Sequence, residues 1–577
     1  VLVFLLCFFI FLSPALGLDS LTNQLLASPD SPNAVNLARQ RRQLFLSKIE
    51  TDPNYILDNL IPHSDFQKIP PSLYSYLESE ITLSGQISLI AYDDFQNQKS
   101  GLVYQLKTDD KKTYQLYFVT PPRSLTTGSD VWLHGVALDD KVVLQSDNSG
   151  IRFPLRVERL AAVPPNVGEQ KTIVLLIKVN GQAGWGNVNR QEVSQIISGR
   201  SDSVDSFYRE NSYYSANPPR GVYFTPTVSD WLTVDPPANP DDTCIFYRWA
   251  KNSVNPLAAR QGINLDNYSK IVYLFDLRQC NGAWAYLNAP DSYISSAHLP
   301  GATVFIHEIG HNFGAAHANT YDCYPKSIDR PASCRSAEYG ELYDVMGWSS
   351  GGRHFNAPHK KEVGWIPDSR TTYVTFPGTY TVFASEQYTS EPQIIIVTKS
   401  PSVPSYYVGY RKAFGFDADL PSSLFRGVQI HTRIKNSFGY EELQTQLLDT
   451  NPEPRYGDWN SKNFEDHTLS DGQTFTDDLN GISIKQISHN ADSATVEVSF
   501  ATCPGLCPSG RSRLRGDANC DGIVDMIDFS VWLREYIAFI NLPITAPQPT
   551  WTADFDCDQA ITMIDFSLWL SEYQSSR

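Results

Sequence analysis

Apolar and polar residues repeat along this chain in blocks of changing period, and the blocks mark its organisation. Residues 18–78 are polar with helix-compatible spacing and read as an N-terminal helical, pro-like segment. Inside it, Arg39-Gln40-Arg41-Arg42 reads either as a processing site or as a solvated helix face. Over 79–165 the period becomes two: Ile81 and Leu83, then Ile87, Leu89 and Ala91, then Tyr114, Leu116 and Phe118. With Asp109-Asp110-Lys111-Lys112 as a turn, this predicts a small antiparallel β-barrel-like domain, ended at Pro164-Pro165. Thr172 to Val179 is a continuous apolar strand of the kind buried on both faces. A helical pattern at Val193, Ile196, Ile197, Val204, Phe207 and Tyr208 follows, then a strand over Ile271 to Leu277. Strand, helix, strand predicts an α/β domain over 166–366. Six short strand patterns between Tyr373 and Phe500 predict a β-sandwich over 367–501. A Pro/Gly/Arg-rich linker, 502–515, leads into an internal repeat over 516–577.

The first 12 residues, VLVFLLCFFIFL, form an apolar run. A bilayer span needs about 20, so the run followed by Ala15 and Gly17 reads as a signal peptide over 1–17. No later segment is apolar enough to cross a membrane, and the predicted mature chain is secreted. Basic residues number 46 and acidic residues 63, for a net charge of −17. That balance excludes nucleic-acid binding through global charge, because phosphate backbones need a basic face. Cys7 apart, eight cysteines remain, an even number suited to an oxidising compartment. Spacing suggests Cys244 with Cys280, Cys323 with Cys334, Cys503 with Cys507, and Cys520 with Cys557, among the roughly 105 connectivities eight cysteines allow.

The chemistry concentrates in His307-Glu308-Ile309-Gly310-His311-Asn312-Phe313-Gly314-Ala315-Ala316-His317. His307 and His311, four apart on a helix, project from one face and can share a tetrahedral Zn²⁺. Gly314 lets the helix end and turns the chain, so that His317 becomes a third ligand. Three protein ligands leave a fourth position for water, and Glu308 is placed to act on it as general acid/base. His354 and His359 lie beyond this motif and read as surface or structural residues.

These residues, followed by Cys323 and Cys334, Glu338-Tyr339-Gly340, Asp344-Val345-Met346-Gly347, Phe355-Asn356-Ala357-Pro358-His359-Lys360-Lys361 and Gly364-Trp365, resemble the gametolysin family of metzincin zinc metallopeptidases. Tyr406-Tyr407-Val408-Gly409-Tyr410-Arg411 and Gly415-Phe416-Asp417 extend the resemblance over roughly 166–500. It implies an α/β metzincin-type catalytic domain, His307, His311 and His317 on zinc, Glu308 as the catalytic group and Met346 as the Met-turn residue beneath the metal. Where some metzincins carry a tyrosine two residues after that Met, this chain has Trp348. No cysteine lies between Leu18 and Thr243, so a prosegment thiolate cannot cap the zinc.

Asp517 to Tyr536 and Asp554 to Tyr573 match at 12 of 20 positions. Each copy opens with an EF-hand-like loop whose oxygen ligands suit Ca²⁺. The first offers Asp517, Asn519, Asp521, the Ile523 carbonyl, Asp525 and Asp528, with Gly522 at the sharp turn. The second offers Asp554, Asp556, Asp558, the Ala560 carbonyl, Thr562 and Asp565, with Gln559 in place of the glycine. An amphipathic helix follows each loop. Two such units resemble a dockerin domain, which implies a cohesin-like scaffold or surface partner. Met526-Ile527 and Met563-Ile564 stand where that family selects its partner.

The sequence therefore predicts a secreted, multidomain zinc metalloendopeptidase acting on a protein or glycoprotein substrate and tethered through a calcium-dependent dockerin-like module. Two alternatives stand beside it: a catalytically idle metzincin-fold binding protein, and an active protease whose C-terminal module is only a calcium-stabilised cap.

Overall fold

Residues 18–78 form helices α1 (Leu18–Ala27), α2 (Ala34–Lys48), α3 (Pro53–Asp58) and α4 (His63–Phe66). The computed structural model describes residues 17–95, 99–122, 125–145, 152–161, 166–215, 220–347, 352–399, 404–434, 443–454, 464–500, 516–519, 521–540, 552–555 and 561–575. Asp52 caps α3 by accepting the Tyr55 N–H, with Pro53 in the first turn where a missing N–H costs nothing. The Arg39–Arg42 run lies inside α2, with Arg39 and Gln40 exposed as on a solvated helix face and Arg41 departing from that reading. Arg41 is buried, pairs with Glu78, and also donates to Thr22 (2.8 Å) and the Asn59 carbonyl (3.0 Å). A buried guanidinium satisfied on several sides is structural.

The chain divides into two compact units, 1–90 with 102–163, and 91–101 with 164–577. The first unit carries β1 (Ser79–Asp94), β2 (Lys99–Thr108), β3 (Thr113–Phe118), β4 (Asp130–Leu138), β5 (Lys141–Leu144) and β6 (Leu155–Arg159). The ends of β1 and β2, residues 91–94 and 99–101, belong to the second unit. β4 runs antiparallel to β1, β5 and β6; β3 pairs antiparallel with β2 and parallel with β5; β2 neighbours β1. The period-two pattern thus becomes a ladder that returns from β5 through β3 and β2 to β1, with Val131 and Leu133 buried on its inner face.

In the second unit, β7 (Gly168–Val179) lies parallel between β8 (Val222–Val234) and β9 (Lys270–Phe275). Ile173 to Ile177 of β7 are all buried, as a strand covered on both faces requires. The sheet continues through β11 (Asp291–Ser295), parallel to β9, to β10 (Ala283–Tyr286), antiparallel to β11. Helices α5 (Arg190–Ile197), α6 (Val204–Asn211) and α8 (Thr303–Phe313) share one core with it, around Val174, Leu176, Phe207, Tyr208, Ile306 and Phe313. Helix α7 (Phe246–Arg260) stacks Phe246 on Phe275 at 4.0 Å, and a Cys244–Cys280 disulfide closes beside it.

Two further sheets sandwich a second core that includes Val382, Ile395, Val408, Ile430, Ile484 and Val496. One contains β12 (Ala318–Asp322), β13 (Arg335–Ala337), β14 (Thr371–Val374), β16 (Ile394–Val397), β17 (Tyr406–Gly409), β18 (Gly427–Thr432), β19 (Thr445–Leu448) and β20 (Leu469–Ser470). The other is β15 (Gly378–Phe383), β23 (Ser493–Phe500), β22 (Ile482–His489) and β21 (Thr474–Asp477). The sandwich thus draws in β12 and β13 from within 166–366: β12 pairs in parallel with β19, Ala318 opposite Thr445. The Cys323–Cys334 disulfide ties the residue just after β12 to the one just before β13. Helix α9 (Ala357–Glu362) follows the metal motif in sequence. Helices α10 (Met526–Ile540) and α11 (Met563–Ser575) bury Trp532, Leu568 and Trp569 against Phe555 and Ile561 in a small core of their own. The whole is a multidomain α/β protein with large mixed sheets and few helices.

Of the expected disulfides, Cys244–Cys280 and Cys323–Cys334 are present, with Cα separations of 5.3 and 4.1 Å. Cys503, Cys507, Cys520 and Cys557 lie outside the described residues, as do residues 1–16 and Trp348. No described helix is long and apolar enough to cross a membrane.

Candidate metal centre

Helix α8 is buried from Phe305 to Phe313, and its His307 and His311 are one turn apart on the same side. The helix stops at Gly314, whose φ of +105° is open to glycine at little cost. Gly314 N–H returns to the His311 carbonyl (2.9 Å) and Ala315 N–H to the Gly310 carbonyl (3.1 Å). That turn carries the chain back so that His317 faces the same space.

Each imidazole donates its Nδ1–H to an oxygen: His307 to the Val345 carbonyl (2.8 Å), His311 to the Ala315 carbonyl (2.8 Å), His317 to the Glu338 carboxylate (2.7 Å). With Nδ1 tied off, Nε2 is the atom that each ring can offer to a metal, the arrangement found around metal-ligating histidines. The Nε2 atoms of His311 and His317 are 3.2 Å apart. A fourth group, Asp93 at the end of β1, reaches the same point. Its Oδ1 lies 3.5 Å from His307 Nε2 and 2.8 Å from His317 Nε2, and its Oδ2 lies 3.4 Å from His311 Nε2. A tetrahedron with zinc-type arms of about 2.0–2.1 Å has edges of roughly 3.3 Å; the His311–His317 separation matches such an edge, so the histidines fit a small cation. Asp93, His307, His311 and His317 are all buried, and among the described residues they alone form a group of three or more such ligand atoms within 4.8 Å of one another. His307 Nε2 and Asp93 Oδ2 have no hydrogen-bond partner, as expected of atoms that serve a cation.

Without a cation the electrostatics are uneven. Burial pushes His311 down to about 4. Against the same burial, the Asp93 and Glu338 carboxylates raise His317 to about 10. Glu308 is fully buried, and neither of its carboxylate oxygens has a hydrogen-bond partner. Burial first, and then the nearby Asp93 charge, push its carboxyl well above the usual range.

The chain matches no protein-family model and no curated protein.

Around the centre, Met346 is buried beneath α8 and its neighbour Val345 supplies the carbonyl that holds His307. Asp344 anchors this turn, accepting from the N–H groups of Met346 (2.6 Å) and Asn356 (2.6 Å) and pairing with His359 Nδ1 (2.8 Å). His359 is therefore a buried support. So is His354, which contacts Glu210 (2.6 Å) and Lys360 (3.0 Å). Three residues near the metal point carried no role in the sequence reading: Asp93, Glu338 and Tyr339. Tyr339 holds φ at +56°, uncommon for an aromatic residue, and donates its hydroxyl to Asp93. Glu338-Tyr339-Gly340 stood within the family resemblance, which was a usable signal; Asp93 had none, because an aspartate at a strand end reads as part of a turn.

In the repeat, the first loop turns its carboxylates onto its own backbone. Asp517 accepts from Asp521 and Gly522 N–H (3.2 and 3.0 Å), and Asp521 from Ile523 N–H (2.8 Å). Asn519 accepts from Asp521 N–H (3.0 Å), Asp525 from Ile527 N–H (2.7 Å), and Asp528 from both Asn519 and Asp525 N–H. Gly522 has φ +89° at the sharp turn. In the second loop Asp565 accepts from Phe555 and Thr562 N–H (2.6 and 2.8 Å), and Asp554 is described beside them. Asp556, Asp558, Gln559 and Ala560 lie outside the described residues.

Proposed function

We propose that the chain is a secreted zinc-dependent metalloendopeptidase of the gametolysin-like metzincin kind, acting on extracellular or cell-wall proteins. The observation that carries this reading is the set of three histidines, each held through Nδ1 with Nε2 turned to one point, next to a buried glutamate that no donor satisfies. His307, His311 and His317 would hold zinc. Bound there, zinc supplies Lewis-acid polarisation of a peptide carbonyl and of water. Glu308 takes the proton of the attacking water at a carboxylate oxygen and returns it to the departing amine. Glu338 keeps the His317 ring oriented, and Val345 does the same for His307. The two disulfides favour an oxidising compartment.

The C-terminal repeat serves in this reading as a calcium-dependent tether to a cohesin-like scaffold protein. Its support is apolar surface in the repeat that its own core leaves outside: Ile523, Met526, Ile527, Ile537 and Met563 are each at least half exposed. An internal cap would bury such residues.

The Asp93 contact favours a second reading, an idle metal-holding fold, because structural sites are closed by four protein ligands. Glu308→Gln separates the two. A peptidase keeps its metal and loses about 10²–10⁴-fold in casein turnover, while an idle fold has no turnover to lose.

A further inference from the structure

We propose that the β-sandwich is a working half of the metal centre, with Thr445 of β19 and His431 of β18 as positioning residues for the ligands. This role rests on the metal-holding part of the reading above and is independent of peptidase activity.

The three histidines stand on two different supports. His307 and His311 ride on α8, which packs in the α/β core. His317 does not. It directly precedes β12, a strand of the sandwich sheet that hydrogen bonds with β19. The His317 carbonyl accepts the Thr445 N–H (3.0 Å). Glu338, which fixes the His317 ring, directly follows β13 of the same sheet. The triad is therefore completed only where the α/β core and the sandwich meet.

The turn that carries Val345 and Met346 is tied to both supports. Val345 holds His307 through its carbonyl. Ala318 N–H donates to the Met346 carbonyl (3.0 Å) and Glu341 N–H to the Ala318 carbonyl (3.2 Å), so the turn is bound to the residue after His317. Side chains extend the tie into the sandwich. The Glu341 carboxylate accepts His431 Nε2–H across both oxygens (3.1 and 3.2 Å) and Asn356 Nδ2–H (2.9 Å). The same Asn356 amide donates to the Thr445 hydroxyl (3.1 Å). Asn356 N–H in turn reaches Asp344, whose other oxygen holds Met346 N–H.

Thr445 thus touches the third ligand through its backbone and the turn through its hydroxyl, while His431 reaches the turn through Glu341. Glu341, Asp344, Asn356, His431 and Thr445 are all buried. A buried carboxylate that loses a donor is costly to leave as it stands, so a loss at His431 displaces the turn that orients His307. The sandwich core itself is apolar and closes without these groups. A chain of buried polar side chains ending at the supports of the ligands is what holding metal-ligating histidines requires.

The test uses the full chain and Co²⁺, with affinity read by chelator competition and ligand geometry by visible absorption. Thr445→Val and His431→Leu should bind Co²⁺ about 10-fold more weakly, the lower end for outer partners of metal-ligating histidines, and should shift the visible bands. Thr445→Ser keeps a hydroxyl and His431→Gln keeps a donor, and both should recover most of the affinity. Val496→Ala, in the sandwich core on β23, should lower the urea midpoint and leave affinity and bands unchanged. Wild-type affinity in folded Thr445→Val and His431→Leu overturns the positioning role. So does an equal loss in Val496→Ala, which would make the effect one of stability alone. If His431→Leu does not fold, Thr445→Val, of nearly equal volume, decides by itself. The expected losses in a chain that cleaves no casein uphold the positioning role and reject the peptidase reading instead. A wild type that binds no Co²⁺ rejects both.

Discussion

A β-carbon on Gly310 would sit 2.5 Å from the Sδ of Met346. Gly310 lies between His307 and His311 on α8, so the sulfur packs directly on helix backbone under the two ligands. The glycine in this motif therefore has a packing reason, and the methionine has a place no larger neighbour would leave it. Gly310→Ala should cost about 1–3 kcal/mol through overpacking and weaken metal binding by shifting α8. Met346→Leu, which lacks the reach of the thioether but not its volume, should cost under about 1.5 kcal/mol and keep the metal. Urea unfolding and metal titration of both variants check this. Full stability in Gly310→Ala would remove Met346 from beneath the site.

Glu338→Ala should reduce metal affinity about 10–100-fold, the usual cost of losing an outer partner of a metal-ligating histidine. Its carboxylate accepts from His317 Nδ1 and from Asn319 Nδ2 (3.0 Å), so both the ring and the strand carrying it lose an anchor. Glu338→Gln retains an acceptor and should lose less. Equal affinity in wild type and Glu338→Ala, measured by competition with a chelator, would show that His317 orients itself.

Asp449, just past β19, is buried with Oδ2 unpartnered, while Oδ1 accepts the Asn451 N–H (2.9 Å). Burial, aided by the Asp466, Asp322 and Glu453 charges and opposed by that N–H, pushes its carboxyl up to about 7. In the unfolded chain it titrates near about 3.9. Between those values the folded state holds the extra proton, so this group costs stability as pH rises from about 4 through 7, and the full cost stands above 7. Asp449→Asn should therefore stabilise by about 1–3 kcal/mol at pH 8, with the gain fading toward nothing near pH 4. Urea midpoints across that range give the measurement, and a gain independent of pH would sink the account.

What could be read from the sequence is what is local. His307, His311 and the Gly314 turn lie within one helix and its end, so spacing alone places them. Six of the twelve sandwich strands, β15 to β18, β22 and β23, showed as short strand patterns. Asp93 could not be placed, because its meeting with His317 links residues 224 positions apart and depends on where β1 ends. The buried pairing of Arg41 with Glu78 departs from the solvated-face reading at that one residue for the same reason, since its partner is tertiary. Residues 318–337 read as the tail of the α/β domain, yet β12 hydrogen bonds with β19, whose sequence lies over a hundred residues on, and carries β13 on its other edge. Pairing across such separations leaves no periodic trace in either strand.

The two halves of the C-terminal repeat close each other's loops. Trp569 Nε1 of the second copy donates to the Asp525 carbonyl in the first (3.0 Å), and Trp532 Nε1 of the first donates to the Thr562 carbonyl in the second (3.1 Å). Asp525 and Thr562 hold the same loop position, as the tryptophans hold the same helix position, so the exchange is symmetric. It makes the first loop depend on a side chain of the second copy. If these loops take calcium, Trp569→Phe should weaken the first site, not the one in its own repeat. The lost hydrogen bond, about 0.5–1.5 kcal/mol, corresponds to a few-fold change in affinity. In a full-length Asp554→Ala background, where the second loop has lost its first ligand, calcium should still protect α10 and α11 from proteolysis, and Trp569→Phe should raise the calcium needed by that factor. Asp517→Ala in the same background should abolish the protection. Protection that ignores calcium would reject the loops as calcium sites. Calcium protection unaffected by Trp569→Phe would reject the cross-copy dependence while leaving the loops intact.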